Sequence, residues 1–273
     1  MADWEKISTR GNVEDRRGIS SGLVGGISLT GVALFLLVNY LAGGSFEGGL
    51  QQVTEEVLNP QNQVQTVDTS EFAGEDPYEV FASAVLGSLN TTWDKQFAPT
   101  GKAYEAPRLV LFRGLTESGC GTAASQIGPH YCPTDATIYL DETFFEELST
   151  RFGAQGGDVA QAYVIAHEVG HHVQSQRDEL ETASRTNEGS VRAELQADCY
   201  AGVWANSIKE LGIFEPGEIK EAMDAAAAVG DDRIQERAQG YVNPESFTHG
   251  SSEERVAAFT LGYEDGTMET CVQ

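Results

Sequence analysis

The longest apolar stretch of the chain is residues 19–41, ISSGLVGGISLTGVALFLLVNYL, which carries no charge. Its most apolar part, Leu23 to Leu41, is roughly 19 residues long, close to the ~20 needed to cross a hydrocarbon core. It shows little of the polar stripe a soluble core helix would keep. The run exceeds the ~7–15 residues of a signal-peptide core, and no A-x-A cleavage site follows it, so an uncleaved transmembrane anchor is expected. Arg10, Arg16 and Arg17 precede it, and Lys95 is the first basic residue after it. The positive-inside rule then puts residues 1–18 in the cytoplasm and the rest of the chain outside the cell membrane, as a single-pass protein. Gly22 and Gly26 form a GxxxG pair, a packing face for an anchor-mediated dimer.

Residues 42–75 are rich in Gly, Gln, Thr and Glu without sustained periodicity and read as a flexible tether. Asp76-Pro77 is a strong helix start, Asp as N-cap and Pro in the first turn. Val80, Phe81, Ala84, Val85 and Leu89 continue at helical spacing. Residues 108–113 and 136–140 read as strands, with a Gly- and Cys-containing loop between them. Thr137–Leu140 is the candidate edge along which an extended peptide would lie by strand addition. Beyond Asp141 the pattern is mostly helical. In DVAQAYVIAHEVGHHVQSQ (158–176), Ala160, Val164, Ile165, Val169 and Val173 mark a buried amphipathic helix. Residues 190–206 give a second helix, and 247–259 a loop followed by a third. There is no internal repeat. The expectation is an α+β domain over residues 76–273, mostly helical with a small sheet.

Composition changes this picture in two ways. The net charge is −25. Residues 1–41 hold four basic and four acidic side chains, so the whole excess lies beyond them. Such a surface lacks the basic footprint that nucleic acid requires. The four cysteines, Cys120, Cys132, Cys199 and Cys271, form no CxxC pair. An even number in a segment expected outside the cytoplasm suggests two disulfides, for which three pairings exist. Cys120–Cys132 would close a short local loop, leaving Cys199–Cys271 to tie the C-terminal region to the core. The bland alternative is four buried thiols.

The chemistry concentrates on residues 158–176. His167 and His171 are four apart and share one helix face, where both imidazoles can reach one ion. Glu168 can approach a metal-bound water without ligating the metal, as a general base must. A catalytic zinc needs a third protein ligand and one open position. The extended HExxHxxGxxH pattern fails at Gln174 and Arg177, and the inverted HxxEH pattern fails at Gly170. A later helix supplies Glu194 as the ligand and Asp198, four residues on, as acceptor of a ligand imidazole N–H. One zinc per chain follows. For the oxyanion of a tetrahedral intermediate, the candidates are His249 and Arg255. His172 points about 100° away from His171 and reads as structural. His130, in the Cys120–Cys132 loop, has no evident partner. Di-iron chemistry would need two Glu-x-x-His motifs, and only Glu168–His171 is present.

The motifs HEVGHHVQ, ELQADCYAGVWA, VGDDRIQ and FTHGSSEER together resemble a family of bacterial neutral zinc metallopeptidases with an N-terminal membrane anchor. NVEDRRG (12–18), LFRGLTESGCG (111–121), YCPTDATIYLD (131–141) and YVIAHEVGHH (163–172) extend the resemblance from Asn12 to Tyr263, leaving out the tether. It implies a zincin-like fold, one zinc and hydrolysis of peptides or proteins. Two rival readings stand beside it. One is a non-catalytic membrane-anchored module with a structural zinc, for which Cys199 is the nearby thiol available as a fourth ligand. The other is a zinc hydrolase of non-peptide amides.

Overall fold

The computed structural model describes residues 1–18, 76–150, 153–154, 156–180, 186–215 and 217–272. The expected anchor (19–41) and tether (42–75) lie outside the described residues. Among the described residues, no helix is long and apolar enough to cross a membrane.

Asp76 starts helix α1 (Pro77–Phe97) by accepting hydrogen bonds from the backbone N–H of Tyr78 (2.8 Å) and Glu79 (3.0 Å). Pro77, at the first turn, has no N–H to leave unpaired. One side of α1 buries Val85, Leu86, Leu89, Trp93 and Phe97 in the core. The sheet then forms from β2 (Arg108–Leu111), β5 (His130–Cys132) and β6 (Thr137–Leu140). A separate hairpin, β3 (Leu115–Ser118) with β4 (Gly121–Ala124), occupies the loop between the two expected strands.

The fourth strand comes from an unexpected place. Residues Asn12–Asp15 form β1, which pairs in parallel with β2, Val13 opposite Leu109 and Asp15 opposite Leu111. The sheet order is β1-β2-β6-β5, with β5 antiparallel to β6. Residues 1–18 are therefore part of the domain, and the expected boundary that set them apart does not hold. Trp4 stacks on Trp204 and meets the edges of Phe81 and Phe214. Ile7 is buried. Arg17 is also buried, ion-paired with Asp15 (2.7 Å), Glu142 (3.1 Å) and Asp76.

A second expectation is corrected by the same sheet. Thr137–Leu140 is not an edge: β6 is paired with β2 on one side and β5 on the other, and all four of its residues are buried. No backbone donor row is left there for a peptide. Among the described residues, the outermost strand on that side of the sheet is β5.

After the short helix α2 (Phe144–Thr150) come α3 (Asp158–Gln176), α4 (Asn187–Ile208), α5 (Ile219–Ala228), α6 (Asp231–Gln239) and α7 (Ser252–Asp265). Helix α3 lies at the centre, packed on α1, α4, α5, β5 and β6. Its apolar stripe, with Val159, Ile165, Val169 and Val173, is buried. Helices α3 and α4 meet backbone to backbone at Gly170, where an added Cβ would sit 2.9 Å from Ala197 Cα. Helices α4 and α7 approach as closely, with Gly262 against the carbonyl of Cys199 and Gly202 against that of Phe259. Only glycine permits such contacts. Both expected disulfides are present, Cys120–Cys132 and Cys199–Cys271.

Candidate metal centre

Helical spacing puts His167 and His171 one turn apart on α3, and the Gly170 contact brings α4 close enough for Glu194 to reach both. Glu194 Oε2 lies 3.2 Å from His167 Nε2, and Glu194 Oε1 lies 3.4 Å from His171 Nε2. One donor atom from each of the three residues falls within 4.8 Å of the others.

The far side of each imidazole is held by an oxygen. His167 Nδ1 is 2.8 Å from Asp198 Oδ1. His171 Nδ1 is 2.9 Å from Gln174 Oε1. The amide of Gln174 is oriented by its nitrogen, which donates to the carbonyl of Ala193 (2.7 Å) and to Gln196 Oε1 (2.8 Å). With both Nδ1 atoms engaged outward, both Nε2 atoms face Glu194. Nε2 is thus the nitrogen each ring would give to a metal on losing its proton, with Nδ1–H held by the oxygen behind.

Asp198 is completely buried and fully used. Its carboxylate accepts from His167, from the Tyr163 hydroxyl, and from Arg255 through Nε (2.8 Å) and Nη2 (3.0 Å). Arg255 donates further to the Val229 carbonyl and the Tyr163 oxygen. Arg255 thus lines the cavity, but its guanidinium is engaged from behind by Asp198. It clamps the carboxylate that contacts His167.

The electrostatics favour a cation at this point. Burial would discourage charge on His167, but Asp198 and Glu194 outweigh it and raise the imidazole pKa to about 10. Burial opposes the His171 cation too, and Glu194 raises its pKa in the same way. Burial likewise opposes the Glu194 carboxylate, and the two histidines hold it well below the usual range. Two nitrogens and a carboxylate, aimed at one point and pulling positive charge into it, fit a single divalent metal of the zinc type.

The three residues open onto a cavity of about 530 Å³. Glu168, next to His167 on α3, lines it. Gly128–Tyr131, leading into and forming part of β5, line one wall, and Phe144, Leu148, Val164 and Ile234 give it an apolar side. His249 enters from the loop before α7. Sequence reasoning missed what holds that loop. Asp231 Oδ2 accepts the backbone N–H groups of Thr248 (2.7 Å), His249 (2.6 Å) and Gly250 (3.1 Å), while Oδ1 is 3.2 Å from His249 Nδ1. Burial works against the Asp231 charge, but these donors keep its pKa lowered. The signal was available in the GDD of residues 230–232, an acidic pair opening a helix. His172, as expected, is structural: it lies between Tyr131 and the carbonyl of Glu105. His130 stacks on Tyr139 in the cavity wall.

Fold and site together define an α+β protein with a candidate mononuclear metal centre on a buried helix. The chain belongs to the family described as "Putative neutral zinc metallopeptidase", whose model matches residues 2–273. It is 40% identical to "Uncharacterized protein YpfJ" of Escherichia coli (strain K12), over 98% of this chain and 97% of that protein. It is 43% identical to "Uncharacterized protein Rv2575" of Mycobacterium tuberculosis (strain H37Rv), over 72% of each. No solved structure matches.

Proposed function

We propose that the protein is a zinc-dependent peptidase holding one zinc ion through His167, His171 and Glu194, with Glu168 as general base. The observation that carries this reading is the convergence of both Nε2 atoms on the Glu194 carboxylate beside a buried Glu168 in an open cavity. Zinc in that position would act as a Lewis acid on the scissile carbonyl and lower the pKa of water toward ~7. The rest falls to the chain's own residues. A substrate strand adds to the outer edge of β5, which lines the cavity. The Glu168 carboxylate accepts a proton from the attacking water and returns it to the departing amine nitrogen as the C–N bond breaks. His249, with Nδ1 turned to Asp231, presents Nε2 to the carbonyl oxygen as charge develops there.

A structural-zinc module is the less favoured reading. Such sites usually have four protein ligands. Cys199, the one thiol considered for the fourth place, is bonded to Cys271. Hydrolysis of non-peptide amides would use the same residues and differs only in substrate. The test is incubation of the zinc-loaded full chain with a mixed peptide library, with Glu168→Gln as control. Cleavage by the parent alone supports the proposal. Absence of cleavage by both proteins, each holding one zinc, would overturn the peptidase assignment.

A further inference from the structure

We infer that His172 is a positioning residue: through Tyr131 it fixes strand β5 against the helix that carries the metal donors, and so sets the register in which an extended peptide meets them. The inference rests on the peptidase reading above and adds to it how the substrate strand is placed.

Helix α3 carries two adjacent histidines with different surroundings. His171 turns its Nε2 to Glu194. His172, about 100° further round the helix, is buried in the packing between α3 and β5. Both of its ring nitrogens are used. Nε2 lies 2.6 Å from the carbonyl oxygen of Glu105, which can only accept. Burial lowers the imidazole pKa, so the neutral ring carries its one proton on Nε2. Nδ1 keeps a lone pair and accepts from the Tyr131 hydroxyl at 3.0 Å. The ring also meets Tyr104 and Tyr131 edge to face. Gln176, one turn along α3, ties down the same carbonyl's residue by accepting the Glu105 N–H (3.2 Å).

Tyr131 is the middle residue of β5 and lines the cavity. The strand has three residues and pairs only with β6 among the described strands. So short a strand has few ladder bonds to hold it, and a slip of one residue would turn Tyr131 to the opposite face. The pleat divides the tasks of its side chains. His130 and Cys132 share one face, where His130 stacks on Tyr139 and Cys132 is bonded to Cys120. Tyr131 takes the other face and reaches α3. Its hydroxyl on His172 therefore gauges β5 against α3, one residue along from a metal donor. A substrate strand added beside β5 inherits that register. An error of one residue, ~3.4 Å, would carry the scissile carbonyl away from Glu168 and the metal donors.

The test measures KM, kcat and zinc affinity of the zinc-loaded full chain on one peptide that the parent cleaves. Tyr131→Phe removes the hydroxyl and keeps the ring. It is expected to raise KM about 3–10-fold, the worth of one hydrogen bond, with kcat and zinc affinity within about twofold. His172→Gln keeps a donor near the Nε2 position but offers nothing at Nδ1, and should match Tyr131→Phe. His172→Asn brings an amide oxygen near the Nδ1 position and should recover part of the loss. Tyr131→Phe combined with His172→Gln should be no worse than either alone. An unchanged KM in Tyr131→Phe would overturn the inference. So would a zinc affinity that falls in step with the rise in KM, the mark of a pair that only supports the helix. If the parent cleaves no peptide, the peptidase reading has failed, and hydrogen exchange tests the joint instead. Faster exchange of the His130–Cys132 amides in Tyr131→Phe, with the α3 amides unchanged, supports the joint. Equal protection in parent and variant overturns it.

Discussion

Arg255 grips Asp198 with two parallel hydrogen bonds, at 2.8 and 3.0 Å, and Asp198 in turn holds the back of His167. The pair is buried, so its loss is costly from either end. Arg255→Leu is expected to lower the stability of the metal-free protein by about 3–5 kcal/mol, because it strands a buried carboxylate. It should also weaken zinc binding by roughly 10–100-fold through the disturbed His167. Denaturant unfolding and a competitive zinc titration measure the two effects. A loss of turnover with unchanged stability and zinc affinity would point to an oxyanion donor instead.

Zinc loading is expected to expel protons. With a pKa of about 10 in the metal-free site, His167 is protonated at pH 7 and must lose that proton to ligate. The group's pKa is raised, so the proton is held below about pH 10 and competition with zinc weakens as pH rises. Apparent zinc affinity should therefore increase with pH across the neutral range. Calorimetry in buffers of differing ionisation enthalpy reads the number released at pH 7, and a value near zero would contradict the electrostatics of the site.

Gln174→Leu removes the acceptor behind His171 while keeping the side chain's bulk. Zinc affinity should fall roughly 10–100-fold, as for other partners of metal-ligating histidines. Because Gln174 also bonds to Ala193 and Gln196 on α4, Gln174→Glu should restore the His171 contact better than it restores the helix-to-helix one. Comparing zinc affinity with thermal stability in the two variants separates those functions.

Asp231→Asn tests the support of His249. If His249 stabilises the developing oxyanion, His249→Ala should lower kcat by about 10²–10³ with little change in KM. Asp231→Asn should give part of that loss, and the double variant should be no worse than His249→Ala alone. Additive effects would show that Asp231 acts only on the loop.

The pattern of residues made much of this legible. Helix α3 ends where its apolar periodicity ends, Asp76 caps α1 through the side chain its chemistry suggested, and Glu194 and Asp198 lie where a third ligand and its neighbour were sought. The capping box of Ser251 and Glu254 was also readable as S-x-x-E and went unused. Other features carry no local signal. Strand β1 has a single apolar residue among charges, and β5 is three residues long, so neither shows a period. Their strand character comes from pairing with distant partners. Gln174 was weighed as a failed glycine in an extended zinc motif, and only the approach of α4 at Gly170 turns it toward His171.

The contact of α4 with α7 at Gly262 has a consequence for the order in which the molecule comes together. The ribosome makes His167, His171 and Glu194 well before Ser252–Asp265, the helix that brings Arg255 to Asp198. A chain grown only through Glu194 has every proposed metal donor yet lacks the guanidinium that holds the carboxylate behind His167. The disulfide from Cys199 to Cys271 closes later still. Tight metal capture thus belongs to the finished polypeptide rather than the nascent one.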